Sequence, residues 1–177
     1  MTAPTALSWP PSPIGTERLV LREAATRDRP AFVELFSSPE VGTYVGGARP
    51  REALEQAMPE VPGQRPGVFV AELDDAMIGV VMLDPRDVSR PDLVHPDAAN
   101  FELGYLFLPR AWGRGYALEA CGAVLEWFAR EAPGEPVVLT TQSANLASMR
   151  LATRLGFTEL ERFEQFGAEQ WLGLWSR

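Results

Sequence analysis

Apolar residues recur along this chain with two periods, and each period predicts one kind of element. Alternation, or a short apolar run, predicts strands over 17–24, 67–73, 77–84, 101–108, 137–141, 157–163 and 170–176. Spacing near 3.6 residues predicts helices over 28–36, 50–58, 116–130 and 146–155. The resulting order, β-α-α-β-β-β-α-β-α-β-β, favours a mixed α/β (α+β) fold, with a sheet of about seven strands and helices on both faces.

Two of the predicted helices carry finer signals. Asp28 stands where an N-cap is expected, and Pro30 falls in the first turn of the same helix. The helix over 116–130 has the clearest apolar face, formed by Ala117, Ala120, Cys121, Val124, Leu125 and Phe128. Its polar face carries Glu119, Glu126 and Arg130. We therefore expect Cys121 to be buried and poorly reactive, which disfavours a covalent thiol mechanism.

Length and composition predict one domain. The chain has 177 residues, 46% of them hydrophobic, which is enough for a substantial core without disulfides or metals. Residues 1–13 hold four prolines and little periodicity, so residues 1–15 are predicted to form a flexible arm and 16–177 a single domain. Whether that domain is a monomer or a homodimer is left open.

Charge and residue counts exclude several classes of function. A net charge of −8 argues against a general nucleic-acid surface, which needs clustered lysine and arginine, and is better suited to cationic partners such as amines. One cysteine and one histidine, His95, provide no metal cluster of these residues. No apolar run is long enough to cross a bilayer, and no export signal is evident. A cytoplasmic protein without metal is therefore expected.

The stretch 110-RAWGRGYA-117 places two glycines between a predicted strand and a predicted helix. A turn of this kind directs main-chain N–H groups at one point, with the helix dipole behind them, and so favours a phosphate ligand. An ordinary strand-to-helix turn is the alternative. A Walker loop would need Gly-Lys-Ser/Thr, and a dinucleotide fingerprint would need a third glycine where Leu118 stands. Neither pattern is present, which leaves the pyrophosphate of coenzyme A.

Here the sequence resembles a known family. Arg110-x-x-Gly113-x-Gly115 is similar to the Q/R-x-x-G-x-G/A loop of the GNAT superfamily of acyl-CoA-dependent N-acyltransferases. The branch of ribosomal-protein N-terminal alanine and serine acetyltransferases is most similar, through 16-TERLVLR-22, 102-ELGYLFLPRAWGRGYALEA-120, Asn145 with Ser148, and 155-LGF-157. The resemblance runs from Thr16 to the C-terminus. It implies a GNAT-like, mostly antiparallel sheet and acetyl-CoA as co-substrate.

The resemblance also implies which residues contact acetyl-CoA. The cofactor-binding residues are expected to be Leu106, Phe107, Leu108, Arg110, Gly113, Arg114, Gly115, Tyr116, Ala117 and Asn145. Gly104 is expected to mark a bulge that frees a main-chain N–H near Tyr105 or Leu106 for the thioester carbonyl. Asn145 is also a good helix N-cap, and capping alone would account for it.

Two side chains are candidates for proton transfer. An alkylamine is mostly protonated at neutral pH, and Glu102, early in the strand before the glycine turn, is the candidate base; the family often has a glutamate there that acts through water. A solvated strand carboxylate is the alternative. Many members have a tyrosine where this chain has Ala152, so the resemblance assigns proton donation to the departing thiolate to Ser148.

The amine acceptor is less well defined. Tyr44, in the segment where the family forms its acceptor pocket, is the candidate substrate-binding residue. The expected acceptor is a protein N-terminal amine, with a small-molecule amine such as an antibiotic or metabolite as the alternative. A non-catalytic CoA-binding regulatory module is the reading from another functional class. His95 and the proline-rich segment 85–99 receive no role.

Overall fold

The computed structural model describes residues 7–177, and the predicted elements occur in the predicted order, with one two-residue strand and one four-residue helix in addition. The strands are β1 Ile14–Gly15, β2 Val20–Arg22, β3 Val68–Leu73, β4 Ala76–Pro85, β5 Phe101–Phe107, β6 Val137–Gln142, β7 Thr158–Gln165 and β8 Ala168–Trp175. The helices are α1 Arg29–Ser37, α2 Pro39–Gly42, α3 Arg51–Ala57, α4 Tyr116–Glu131 and α5 Leu146–Leu155. Each predicted strand and helix is present, with ends shifted by a few residues.

The strands form one sheet in the order β1-β2-β3-β4-β5-β6-β8-β7. Neighbours β1 and β2, β2 and β3, β6 and β8, and β7 and β8 are antiparallel. Strands β5 and β6 are parallel, with Phe101 opposite Val137 and Glu102 opposite Val138. A mixed α/β fold with a mostly antiparallel sheet is thus confirmed, and it has eight strands rather than about seven.

The additional strand, β1, lies in the segment predicted as a flexible arm. Ile14 pairs with Leu21 and Gly15 with Val20. Earlier in the same segment, the ring of Trp9 packs edge-on against Phe69, with centroids 5.0 Å apart. The predicted arm is therefore wrong for these residues, because they bury apolar surface and join the sheet. Residues 1–6 of the arm lie outside the described part of the chain.

The chain divides into two compact units, each assembled from separate stretches of sequence. The first, here called the glycine-turn unit, comprises 9–81 and 105–123; the second, here called the α5 unit, comprises 82–104, 124–177 and residues 7 and 8. Leu21, Leu35 and Phe69 are buried in the core of the glycine-turn unit. In the α5 unit, Phe101 and Phe128 stack edge to face at 5.0 Å. The single domain predicted over 16–177 stays a prediction.

A buried ionic cluster fixes the start of α1. The carboxylate of Asp28, which is 2% exposed, accepts two hydrogen bonds from the Arg22 guanidinium, at 2.8 and 2.9 Å, and one from the Ala25 amide at 2.7 Å. Arg22 also donates to Glu72 at 2.5 Å. Asp28 occupies the predicted N-cap position of α1, but its carboxylate makes no cap hydrogen bond to that helix and accepts hydrogen bonds from Arg22 and Ala25 instead.

Asp28→Asn should destabilise the protein, because it leaves a largely buried guanidinium short of its partner. We expect a loss of roughly 2–3 kcal/mol in the free energy of unfolding by urea at pH 7. Glu55→Gln, which weakens the exposed Arg51–Glu55 pair, is the control and should cost less than about 0.5 kcal/mol. An equal loss in both variants would contradict the structural role of the cluster.

The same variant gives a pH test. Burial alone would raise the pKa of Asp28, but hydrogen bonds from Arg22 and Ala25 outweigh it and hold the pKa below its ordinary value of 3.8. The stabilisation is therefore fully present above pH 3.8 and is lost as pH falls through the lower pKa of the folded state. The stability gap between wild type and Asp28→Asn should stay constant near neutrality and shrink in acid.

Candidate functional site

The two glycines of the RAWGRGYA stretch lie in a sharp turn between β5 and α4. After Phe107 a 3-10 turn covers Pro109–Ala111, and α4 begins at Tyr116. Gly113 and Gly115 have φ angles of 73° and 80°, a region that other residues enter only at a cost. A Cβ added at Gly113 would meet nothing within 4 Å, so the space beside it is open. Left-handed residues directly before a helix N-terminus are a feature of many anion-binding turns.

Residues just before the glycines hold the turn against the end of β5. The Trp112 indole donates from Nε1 to the Phe107 carbonyl at 2.7 Å. The Leu108 amide donates to the Ile78 carbonyl at 2.9 Å, and the Ala111 amide donates to the Leu108 carbonyl at 2.8 Å. Leu108 is 0% exposed. Its side chain is therefore a core residue that anchors the turn, and its contact with the cofactor stays a prediction.

Arg110 does not direct its side chain at the glycines. Its Nη1 pairs with the carboxylate of Glu34 on α1, and both residues line an open cavity of about 610 Å³ in the glycine-turn unit. Arg27 and Arg51, also in that cavity, pair with Glu72 and Glu55. Each of these three arginines is therefore paired with a carboxylate. The other arginine of the motif, Arg114, lies between the two glycines and is exposed.

A residue that the sequence analysis used only as a family marker contacts the turn directly. Arg18 donates from Nη1 to the Arg114 carbonyl at 2.8 Å, and its guanidinium lies 4.5 Å from the centroid of the Tyr116 ring. It also forms a salt bridge with Glu119 on α4 at 2.7 Å. Glu119, predicted on the solvent face of its helix, is in fact part of this network. The TERL stretch is the feature of the sequence that marks Arg18, but the sequence does not show that Arg18 contacts Glu119 and the glycine turn.

In the α5 unit, Glu102 lies near an arginine that organises the segment 85–99. The Arg86 guanidinium donates to the carbonyls of Val94, His95 and Ala99, at 2.8, 2.9 and 3.2 Å. Burial lowers the pKa of Arg86, and the charge of Glu102 opposes that change. Glu102 itself is half-buried. The predicted base thus lies close to a guanidinium that fixes the neighbouring loop.

Asn145 and Ser148 lie together at the start of α5. The Asn145 side chain accepts a hydrogen bond from the Ser148 amide at 3.2 Å, so it caps the helix as the sequence predicts. Ser148 is 8% exposed. The helix ends at Gly156, which is the C-cap and has the left-handed φ of 93° that is common there. The contacts of Asn145 and Ser148 with a cofactor stay a prediction.

Tyr44, His95 and Cys121 are the remaining residues that the sequence analysis discussed. Tyr44, 38% exposed, lies in the turn after α2. His95, to which no role was assigned, contacts Glu161 on β7 at 2.6 Å from Nε2. Cys121 is buried, as predicted, and burial raises the pKa of its thiol. Both the pKa and the burial make Cys121 a poor nucleophile.

Two further findings concern the described residues only. Across 7–177, histidine, cysteine, aspartate and glutamate side chains form no group of three or more that could hold a metal ion. No helix in that range combines the length and apolar character that crossing a membrane requires.

Comparison with known proteins is consistent with this geometry. A family model described as an acetyltransferase (GNAT) domain matches residues 18–158. YkkB of Bacillus subtilis (strain 168), an uncharacterized protein, is 28% identical over 148 residues, which cover 80% of this chain and 82% of YkkB.

Solved structures with the same fold include two that contain coenzyme A. RimL, a ribosomal alpha-N-protein acetyltransferase, superimposes with a TM-score of 0.70 at 16% identity, covering 93% of this chain and 98% of RimL. The aminoglycoside acetyltransferase AAC(6')-Ib superimposes with a TM-score of 0.68 at 17% identity, covering 90% of this chain and 95% of that enzyme. At these identities the likeness establishes the fold alone.

Arg86→Met should loosen the segment 85–99, because it removes three hydrogen bonds from a charged donor while keeping an apolar stem of similar length. We expect amide exchange within the segment, for example at Ala98, to accelerate by roughly 10-fold or more. Arg90→Met is the control, since Arg90 lies in the same segment and pairs with Asp92 at the surface. Equal exchange rates in the two variants would show that Arg86 does not hold the segment.

Proposed function

This chain belongs to the GNAT family of acetyltransferases, the acyl-CoA-dependent N-acyltransferases, and from that membership we propose that it acetylates a primary amine by direct attack on acetyl-CoA in a ternary complex. The observation that carries the proposal is the turn after β5, with two left-handed glycines at the N-terminus of a 16-residue helix. The amine nitrogen forms a bond to the acetyl carbon, and the bond from that carbon to sulfur breaks.

The glycine turn binds the pyrophosphate of acetyl-CoA through main-chain N–H groups. The first N–H groups of an α-helix lack acceptors within the helix, and those of Tyr116 and Ala117 begin α4. The amides of Gly113, Arg114 and Gly115 add donors, and the absence of side chains at the glycines lets an anion approach closely. Arg114 contributes positive charge from an exposed position, whereas Arg110 supports the turn through Glu34.

The thioester is polarised by main-chain donors of β5. A hydrogen bond from Tyr105 or Leu106 to the carbonyl oxygen strengthens as the tetrahedral oxyanion forms, because negative charge then accumulates on that oxygen. Leu106 and Phe107 line the acyl end of the co-substrate through their backbone. No side chain of the protein is acylated in this reaction, in keeping with the burial of Cys121.

Glu102 accepts the proton of the attacking amine through a water molecule. The carboxylate of Glu102 is half-buried and its negative charge acts on the nearby Arg86 guanidinium, and the ionised form of a carboxylate is the one that can accept a proton. The water carries the proton from the ammonium to the carboxylate, leaving a neutral nucleophile.

Ser148 donates a hydrogen bond to the departing thiolate of coenzyme A, or relays to it through its hydroxyl the proton that the nitrogen of the tetrahedral intermediate loses as the amide forms. The Ser148 backbone is fixed by the Asn145 cap, which restricts where its hydroxyl can lie. The Asn145 side chain, besides capping α5, hydrogen-bonds the pantetheine arm. Ser148 takes the place of the tyrosine that many relatives have at the position of Ala152.

The acceptor in this proposal is a protein N-terminal amine, bound with help from Tyr44. The net charge of −8 favours a cationic acceptor in general. Both a protein N-terminal amine and a small-molecule amine are positively charged before deprotonation. RimL and AAC(6')-Ib, with the same fold, are by name enzymes for ribosomal-protein and aminoglycoside acceptors. Release of coenzyme A with N-terminal peptides, but not with aminoglycosides or simple amines, would support the peptide acceptor over the alternative.

Gly113→Ala should weaken coenzyme A binding by about 10-fold or more, because the added Cβ enters the open space beside the turn and disfavours φ near 73°. Gly134→Ala is a matched control: Gly134 has φ 81°, and a Cβ there also meets nothing within 4 Å. Calorimetric titration measures affinity, and urea unfolding confirms that both variants lose similar stability. Unchanged affinity in folded Gly113→Ala would overturn the assignment of the turn.

Glu102→Gln should lower kcat/KM at neutral pH by roughly 10²- to 10³-fold, since the amide keeps the size of the side chain but cannot accept the proton. Activity should recover as pH rises through the pKa of the acceptor amine, about 7.7–8.0 for the proposed N-terminal amine and about 10 for an alkylamine, because the substrate then arrives neutral. Glu126→Gln, at an exposed position of α4, controls for the loss of one charge. A loss that is constant with pH would indicate a positioning role. No loss of activity would show that Glu102 is a strand carboxylate without a catalytic role.

A further inference from the structure

Arg18 contacts the glycine turn on both sides of Gly115. Its Nη1 donates to the carbonyl of the preceding residue, Arg114, at 2.8 Å, and its guanidinium covers the ring of the following residue, Tyr116, at 4.5 Å. A Cβ on Gly115 would come within 3.4 Å of Arg18 Nη2. One planar cation therefore spans the three residues at which the turn becomes a helix.

The hydrogen bond to Arg114 determines the orientation of a neighbouring donor. The peptide group that joins Arg114 to Gly115 is planar and trans, so its carbonyl and its N–H point in opposite directions. Holding the Arg114 carbonyl towards Arg18 consequently turns the Gly115 N–H away from Arg18. Glycine has more conformational freedom than any other residue. Without the hydrogen bond from Arg18, the peptide group before Gly115 could therefore rotate.

Arg18 is itself fixed by a carboxylate with several donors. Glu119 accepts hydrogen bonds from the Arg18 Nε at 2.7 Å, the Arg18 amide at 2.7 Å and the Thr16 hydroxyl at 2.6 Å. Thr16 and Leu19 close a tight turn around Arg18 through Thr16 N to Leu19 O, at 2.9 Å. Glu119 is only 15% exposed, and Arg18 is 40% exposed. The guanidinium is thus held at one end by Glu119 and reaches the Arg114 carbonyl with the other.

We infer that Arg18, held by Glu119 and Thr16, is a positioning residue of the glycine turn, which presents the Gly115 N–H to the coenzyme pyrophosphate. The inference rests on the proposed function, because it assigns the same turn as the phosphate site. Arg18 acts through the backbone of the turn, so its effect is confined to ligands that carry the pyrophosphate. A purely structural link from the β1–β2 turn to α4 would affect every substrate alike.

The experiment compares Arg18→Gln with wild type for two acetyl donors. Arg18→Gln should raise the Kd for coenzyme A and the KM for acetyl-CoA by about 10-fold, as expected if the aligned turn falls to roughly a tenth of the population. The kcat with acetyl-CoA should change little. With S-acetylpantetheine, which has no pyrophosphate, kcat/KM should stay at the wild-type value. Arg51→Gln, at an exposed ion pair, controls for the lost positive charge.

Arg18→Lys provides the second variant if the glutamine variant unfolds. Lysine keeps the charge but has no rigid fork to reach Glu119 and the Arg114 carbonyl together, so it should raise the KM for acetyl-CoA while restoring stability. Unchanged coenzyme A affinity in folded Arg18→Gln or Arg18→Lys, or an equal loss with S-acetylpantetheine, would overturn the inference. If Gly113→Ala loses affinity and the Arg18 variants do not, the phosphate site stands and only the role of Arg18 falls.

Discussion

The left-handed backbone of Gly113 and Gly115 is the constraint on which the rest of the site depends. Glycine adopts these φ angles without strain, and the proposed phosphate site needs this conformation to direct the amides of the turn and the first amides of α4 at one ligand. In the proposed function, the anion site is made of main-chain donors rather than of cationic side chains. On that proposal a chain of net charge −8 binds a pyrophosphate because the favourable field is local and comes from the peptide dipoles.

Two arginines perform the same physical task in the two units. Arg18 binds a carbonyl of the glycine turn, and Arg86 binds three carbonyls of the segment 85–99. A guanidinium has five N–H donors in one plane, so a single side chain can satisfy several loop carbonyls at once. Both stretches of irregular backbone are thereby ordered without secondary structure. In each case a carboxylate, Glu119 or Glu102, lies close to the same cation.

The features that the sequence predicted well are those set by local pattern. The apolar face of α4, the Asn145 cap and the strand, turn and helix around Gly113 all depend on residues within a few positions of one another. Strand β1 was missed because two residues are too short to show a period.

The features that the sequence did not reveal depend on distant partners. Arg18 and Glu119 are 101 positions apart, and nothing in either stretch identifies the other. Arg110 was assigned to the cofactor from a motif, but its guanidinium is held by Glu34, 76 positions away. Leu108 fits the motif by position, yet the core buries it completely. Motif spacing locates the backbone of a site, whereas tertiary contacts decide where its side chains go.

Direct transfer from bound acetyl-CoA to an amine is the central claim, and radiolabelled acetyl-CoA tests it most directly. With an accepted amine, the protein should release free coenzyme A and labelled amide in equimolar amounts. Without amine, the denatured protein should carry no label, since Cys121 is buried and no acyl-enzyme is formed. Label retained covalently on the protein would contradict direct transfer. Binding of coenzyme A without its release across a broad panel of amines would show a non-catalytic module.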